Sequence, residues 1–513
     1  MDRRDFLGTL GLGAAGLAGV AHCASTRAPN IVYILADDLG YGDVGALNED
    51  CRIATPVLDR LAREGMVFTD AHSGSAVCTP TRYGILTGRY AWRSRLQSGV
   101  LWGYSTPLIE PGRMTVASLL KRRAYATACV GKWHLGLGWP TRDGYTYSDD
   151  MKETGEHVDY SPPISRGPTT LGFDYFYGIP ASLDMVPYVY IENDRVVAPP
   201  TQTVPGREGL AFYRGGPAAP SFMHQEVLPI LTRKAVAFID RHAATRPEQP
   251  FFLYFPLNAP HTPILPIPDF QGSSKIGPYG DFVRQCDWSV GQVLEALERH
   301  GFTRNTLVIF TSDNGCSPMA DFAALAQHGH HPSYHFRGHK SDIFEGGHRI
   351  PFIARWPARV KAGARCDDTV CLADLLATCA DILGDHLPDN AGEDSASILP
   401  DLLGRAAGPV REATVHHSSE GAFSIRQGHW KLELCAGSGG WSSPSEEEAR
   451  KQNLPKIQLY DLRQDIRERT NLQAQHPDVV DRLVHLLEKY VTDGRSTPGR
   501  PQSNAVKVRI WKD

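Results

Sequence analysis

The chain is 513 residues long, with 42% hydrophobic and 21% charged residues, the proportions of a globular protein with a large core and not of a disordered, collagen-like or polytopic membrane chain. Its 53 basic and 57 acidic residues leave a net charge of −4, which gives no reason to expect nucleic acid as a partner, so any anionic ligand must be held locally. Ten cysteines over this length make no disulfide scaffold.

Residues 1–28 read as an export signal. Arg3 and Arg4 precede an uncharged apolar and glycine-rich run from Phe6 to Ala21, too short for a stable bilayer anchor of about 20 residues. The paired arginines with Asp5, Phe6 and Leu7 resemble a twin-arginine signal, which implies the twin-arginine export machinery as a partner and a periplasmic or secreted location. Cys23 offers a lipid anchor as the alternative, but His22 stands where a lipobox wants a small residue.

Four apolar, partly β-branched runs follow, each ending in polar residues: Asn30 to Leu35 before Asp37-Asp38, Tyr125 to Val130 before Lys132 and His134, Phe251 to Leu257 before Asn258 and His261, and Thr306 to Thr311 before Asp313-Asn314. Short continuous runs of this kind predict buried parallel strands. Between them, Thr55 and Pro56 open a helix that Gly65 closes, and further helices are predicted over about Glu226 to His242, Asp281 to His300 and Val370 to Leu383. The alternation predicts an α/β fold, in which ligands bind at the carboxyl edge of the parallel strands. Trp139 to Pro168 reads as a long surface loop near that edge. Beyond about residue 405, short strand-like runs (Ala413 to His417, Ala422 to Arg426, Trp430 to Leu434, Gln458 to Asp461) and a helix over Pro477 to Tyr490 predict a smaller α+β unit. The expected division is 1–28 signal, 29–404 catalytic domain and 405–513 carboxy-terminal subdomain.

Asp37, Asp38, Asp313 and Asn314 offer oxygen donors only, suited to calcium or magnesium; Asp and Asn are also ordinary turn formers. Cys78 precedes Pro80, which predicts a helix start with Arg82 on its first turn. A cysteine there is either a reactive thiol or a buried apolar side chain. Lys132, His134, His261 and Lys340 add positive or proton-carrying groups. His328, His330, His331, His335, His339 and His348 show no tetrahedral ligand spacing and are expected on a loop lining the pocket.

Taken together these motifs carry a resemblance. Cys78-Thr79-Pro80-Thr81-Arg82 with Leu86-Thr87-Gly88-Arg89 matches the sulfatase signature. In the family's order stand Asp37-Asp38, Gly131-Lys132-Trp133-His134, Phe173-Asp174 with Gly178, Asn258-Ala259-Pro260-His261, Ser312-Asp313-Asn314-Gly315 and Gly338-His339-Lys340 before Glu345-Gly346-Gly347. The chain resembles the type I sulfatases of the arylsulfatase A and N-acetylgalactosamine-6-sulfatase kind, from about Asn30 into the carboxy-terminal region. The resemblance implies a large mixed, mostly parallel sheet flanked by helices, alkaline phosphatase-like, with the smaller carboxy-terminal unit.

It implies further that a formylglycine-generating enzyme oxidises Cys78 to formylglycine, whose hydrated aldehyde is the nucleophile. Asp37, Asp38, Asp313 and Asn314, with the oxygen at position 78, would hold calcium, magnesium being the second choice. Arg82, Lys132 and Lys340 would hold sulfate, Asp313 would be the base for the attacking hydroxyl, and His261 and Lys340 would protonate the leaving alcohol. His134 would take the last proton and Ser182 would touch the sulfate. The implied activity is sulfuric ester hydrolysis, with exo-acting removal of sulfate from a carbohydrate favoured by the export signal. Alternatives are an aryl sulfate hydrolase and a phosphoester or phosphonate hydrolase of the same superfamily. The leaving group is expected against the loops Trp139 to Pro168, Asp184 to Tyr190, Val204 to His224 and Pro318 to Arg337.

Overall fold

The computed structural model describes residues 27–512. The predicted signal, with Cys23, therefore lies outside the described residues except for Arg27 and Ala28. Strands Asn30–Asp37 (β1), Met66–Phe68 (β2), Ala126–Lys132 (β3), Tyr175–Ile179 (β4), Ile191–Glu192 (β5), Arg195–Val196 (β6), Phe251–Pro260 (β7), Thr306–Ser312 (β8), Phe352–Arg355 (β9) and Ala364–Cys366 (β10) form one ten-stranded sheet in the order β10-β2-β9-β8-β1-β7-β3-β4-β5-β6. The run β8-β1-β7-β3-β4 is parallel throughout. Antiparallel pairings appear only toward the two ends.

The four apolar runs are β1, β3, β7 and β8, buried at every residue. Burial on both faces is why they read as continuous and not as alternating. Helices Pro56–Glu64 (α1), Cys78–Thr87 (α2), Val116–Arg122 (α3), Val227–Thr245 (α4), Pro278–Arg299 (α5) and Leu375–Ile382 (α6) cover the sheet, with α1, α4 and α5 packing together as one group and α2, α3 and α6 as another.

Three local expectations need correction. Residues 370–383 are not one helix: Val370–Cys371 pairs in parallel with Ala71–His72, and the helix proper is α6. The carboxylate of Asp374 then accepts from the backbone N–H of Cys371 and of Ala396, both at 2.8 Å, tying the break in place. Helix α2 begins at Cys78 itself, with Val77 as the cap, so Pro80 is its third residue. Proline is tolerated through the first turn because those N–H groups lack an intrahelical acceptor. Finally, Thr55 and Gly65 do bound α1, but the Thr55 hydroxyl bonds Asp59 at 3.4 Å in place of capping the backbone.

Past the first sheet, Thr414–His417 (β11), Phe423–Gln427 (β12), Trp430–Glu433 (β13) and Gln458–Asp461 (β14) form an antiparallel four-stranded sheet backed by Pro477–Thr492 (α7). Its core of Val415, Phe423, Ile425, Leu432, Leu459, Leu483 and Leu487 also takes in Tyr90 and Trp92, which follow α2 in the chain. The smaller unit thus packs directly behind the helix that carries Cys78.

Candidate active site

Each parallel strand delivers its polar residues to one edge of the sheet. Strand β1 ends on Asp37, and Asp38 follows in the left-handed region at φ 65°. Strand β3 ends on Lys132, β4 leads to Ser182, β7 leads to His261, and β8 leads to Asp313 and Asn314. Helix α2 aims Cys78 and Arg82 at the same point, so that donor atoms of Asp37, Cys78 and Asp313 lie within 4.8 Å of one another. Gly131, just before Lys132, has φ 144°, and a Cβ there would fall 1.8 Å from the Pro256 carbonyl oxygen. Only glycine lets β3 and β7 approach this closely at the site.

The charges interlock. Lys132 Nζ donates to Asp37 Oδ2 at 2.7 Å and to Ser182 Oγ at 3.1 Å, and Lys340 Nζ donates to Asp38 Oδ2 at 2.7 Å. Arg82 donates to Asp313 Oδ2 through Nε at 3.0 Å and Nη2 at 2.7 Å, and its Nη2 stands 3.3 Å from Asp37 Oδ1. Asn314 Nδ2 donates to Asp38 Oδ1 at 2.7 Å. His261 Nε2 lies 3.3 Å from Ser182 Oγ and 3.6 Å from Asp38 Oδ2. All the sequence-predicted residues except His134 are linked directly in this way or, for Cys78, by proximity. His134 stands one step away, its Nε2 bonded to the Leu101 carbonyl at 2.7 Å.

Burial pushes the Asp37 carboxyl up, but Lys132, His261, Arg82 and Lys340 outweigh it and hold it well below the usual range. Asp313 goes the other way: burial, then the Asp37 carboxylate, push it up to about 7 against Arg82 and Lys132. Burial, followed by Lys132 and Arg82, drives His134 well below its ordinary value, so the ring is neutral. With Nε2–H donating to Leu101, its buried Nδ1 keeps a free lone pair, for it has no hydrogen-bond partner among the described residues. Burial also pushes the Cys78 thiol up, so it is no resting thiolate.

Among the described residues, two buried oxygens accept no hydrogen bond: Asp37 Oδ1, which has only the Arg82 ion pair, and Asn314 Oδ1. Leaving such acceptors unsatisfied is costly, and they sit beside Asp38, Asp313 and position 78. This all-oxygen set, once position 78 carries oxygen, fits a hard divalent cation.

The histidine-rich segment does not form one pocket wall. His330 Nε2 bonds Asp43 Oδ1 at 2.8 Å beneath the site, while His348 lies in a buried group with His72 and His416. Arg89, from the signature's tail, turns away from the site to Tyr83 at 3.1 Å and Glu110 at 3.3 Å. Sequence reading missed the Leu101 carbonyl that orients His134, and the buried Tyr279, whose hydroxyl donates to Asp43 Oδ2 at 2.5 Å and reaches the Asp38 carbonyl at 3.5 Å. Neither has a sequence signature, since one is a backbone atom and the other a core tyrosine on α5.

Residues 29–385 match the family model described as Sulfatase. The chain belongs to the sulfatase family. It is 35% identical to the N-acetylgalactosamine-6-O-sulfatase of Bacteroides thetaiotaomicron, over 91% of this chain and 94% of that protein. It is 32% identical to human arylsulfatase A, over 96% and 94%. Its fold superposes with a TM-score of 0.78 on a structure solved in work on glycosaminoglycan metabolism by B. thetaiotaomicron, at 35% identity, covering 90% of this chain and 99% of that one. The enzyme hydrolyses sulfate esters on an alkaline phosphatase-like fold, and the charged cluster at the sheet edge is its candidate active site.

Proposed function

We propose that this sulfatase removes sulfate from a carbohydrate, acting from a chain end, with formylglycine made from Cys78 and one calcium held by Asp37, Asp38, Asp313, Asn314 and the oxygen at position 78. The observation that carries the reading is the pair of buried oxygens on Asp37 and Asn314 that accept no hydrogen bond among the described residues, beside three buried cations, Arg82, Lys132 and Lys340. The cations have the charge to hold an anion and the carboxylates the charge to hold a cation. Formylglycine supplies a hydrated aldehyde as oxygen nucleophile and calcium supplies charge neutralisation at the sulfate oxygens.

The protein groups then divide the proton work. Asp313 accepts from the attacking hydroxyl, and the neutral His134 accepts at Nδ1 in the later step that frees sulfate. Burial lowers the pKa of Lys340, but Asp38 more than offsets it and raises it, so Lys340 keeps its proton and acts as a fixed charge. His261, beside Ser182 and Asp38, stands with Lys340 where the leaving alcohol would be protonated. Lys132 and Ser182 complete the sulfate contacts.

Support for a sugar comes from the 35% identity to a relative named for N-acetylgalactosamine 6-sulfate, and from the wall beside Ser182. Two residues on, Asp184 pairs with Arg214, whose guanidinium lies 4.9 Å from the Trp102 ring and 5.1 Å from Phe212. Among the described residues, the buried Asp184 Oδ1 accepts no hydrogen bond, which leaves acceptor capacity beside this aromatic and cationic wall. Maturation by a formylglycine-generating enzyme and twin-arginine export to the periplasm belong to the same reading.

Mass spectrometry of the Cys78 peptide from native-host protein tests the nucleophile, and unmodified cysteine in active enzyme overturns it. A panel of sulfated monosaccharides and disaccharides beside nitrophenyl sulfate and nitrophenyl phosphate tests the substrate. Faster turnover of the aryl sulfate than of every sugar, or of the phosphate than of the sulfate, rejects the carbohydrate assignment.

A further inference from the structure

Strand β10 ends on Cys366 at the outer edge of the large sheet, where its carbonyl accepts from the Thr69 backbone N–H at 2.9 Å. Two residues later comes Asp368, and against both lies Asp401, on the short helix Leu399–Leu402 that precedes the carboxy-terminal sheet. Sulfur and carboxylate oxygens of Cys366, Asp368 and Asp401 all lie within 4.8 Å of one another. Asp401 is only 3% exposed, and neither of its carboxylate oxygens receives a hydrogen bond from any N–H or O–H donor among the described residues.

Two carboxylates brought together without a donor between them must share a proton or hold a cation, because a buried unpaired charge is not tolerated. We propose that Cys366, Asp368 and Asp401 bind a zinc-class divalent cation, at a site separate from the active centre, that ties the edge of the large sheet to the segment leading into the carboxy-terminal unit. The donor set of one thiolate and two carboxylates favours zinc or cadmium over calcium, which takes oxygens only. It leaves the fourth tetrahedral position to water. Asp368, half-buried, also lines a solvent-open cleft of about 510 Å³.

Binding exchanges protons for metal. The Cys366 thiol loses its proton to solvent as the sulfur–metal bond forms, and the carboxylate pair gives up any proton it shares as the oxygen–metal bonds form. The buried group of His72, His348 and His416 does not compete for this role. Its ring nitrogens are already bonded, with His72 to His348 at 3.0 Å and to Asp70 at 2.8 Å, and the Lys431 ammonium stands 3.0 Å from His348 Nε2. A second cation would meet a charge of its own sign there.

The test is a cadmium titration of the mature, calcium-saturated enzyme, followed by sulfur-to-cadmium charge-transfer absorption in the ultraviolet, with zinc as competitor. One equivalent of cadmium per chain is expected, with the absorption lost in C366S and the affinity at least tenfold weaker in D401N. Zinc should raise Tm for the wild type and not for D401N, while sulfate-ester turnover of both variants stays within twofold. Absence of stoichiometric binding in the calcium-loaded wild type, or an absorption that survives in C366S, overturns the proposal.

Discussion

His134 and Arg82 show how one buried residue can carry either chemistry or both chemistry and fold. His134 is neutral, anchored through Nε2 to Leu101, and free at Nδ1. His134→Ala should therefore lower kcat by about 10²–10⁴, the usual worth of a positioned base, with KM nearly unchanged because the ring holds no sulfate. Steady-state kinetics on a soluble sulfate ester decides it, and a pure KM effect would reassign His134 to binding. Arg82 is fully buried between Asp313 and Asp37, so Arg82→Ala strips the paired countercharge from Asp313 and leaves Asp37 with Lys132 alone. We expect loss of activity together with about 3–5 kcal/mol of stability, read from urea unfolding. Both residues were legible as candidates, because side-chain type and motif spacing marked them and the structure places Arg82 in the charged cluster and His134 one step from it. The Leu101 carbonyl and the Trp102–Arg214–Asp184 wall were not, because chain segments far apart in sequence bring them together and no local pattern records that approach.

At the scale of elements, the parallel strands were the easiest to read, since burial on both faces leaves an unbroken apolar signature that ends where solvent and ligand begin. The short strand Val370–Cys371 was hidden inside a helical pattern, because its partner, Ala71–His72, is supplied from 299 positions earlier, Val370 pairing with Ala71. Gly131 could be noted as part of a motif, but its reason is visible only in three dimensions. Gly131→Ala forces a Cβ onto the Pro256 carbonyl at a backbone angle that side chains avoid. It should cost about 3 kcal/mol or more and shift Lys132 relative to Asp37. Lower Tm with a raised KM for sulfate esters is the expected pair of results, and a wild-type Tm would show that the strand ends can move apart freely.

Across the whole molecule, the joint between the two sheets is polar as well as apolar. His72 and His348 come from the catalytic part and His416 from β11. Around them stand Asp70, Glu345, Arg426, Lys431, Glu433 and Glu468. Burial, then neighbouring positive groups, holds His348 and His416 well below their ordinary value, and burial also lowers His72 despite Glu345 and Asp70. Folded, these rings stay neutral; unfolded, they take up protons below about 6.5. The unfolded chain then binds more protons, so this stabilisation is present above about 6.5 and is lost as pH falls below it. Glu468, pushed up by burial against Lys431, favours proton uptake in the folded state and works in the opposite sense, so the total pH slope alone cannot isolate the histidines. The difference between wild type and His416→Gln does. Between pH 6.5 and 5.5 the wild type should lose about 1 kcal/mol more unfolding free energy than the variant, since one proton per pH unit is worth about 1.4 kcal/mol. Equal slopes would mean that His416 does not remain neutral in the folded joint, and that the two sheets are held by apolar contacts from Tyr90, Trp92 and Phe423 with no help from the cluster.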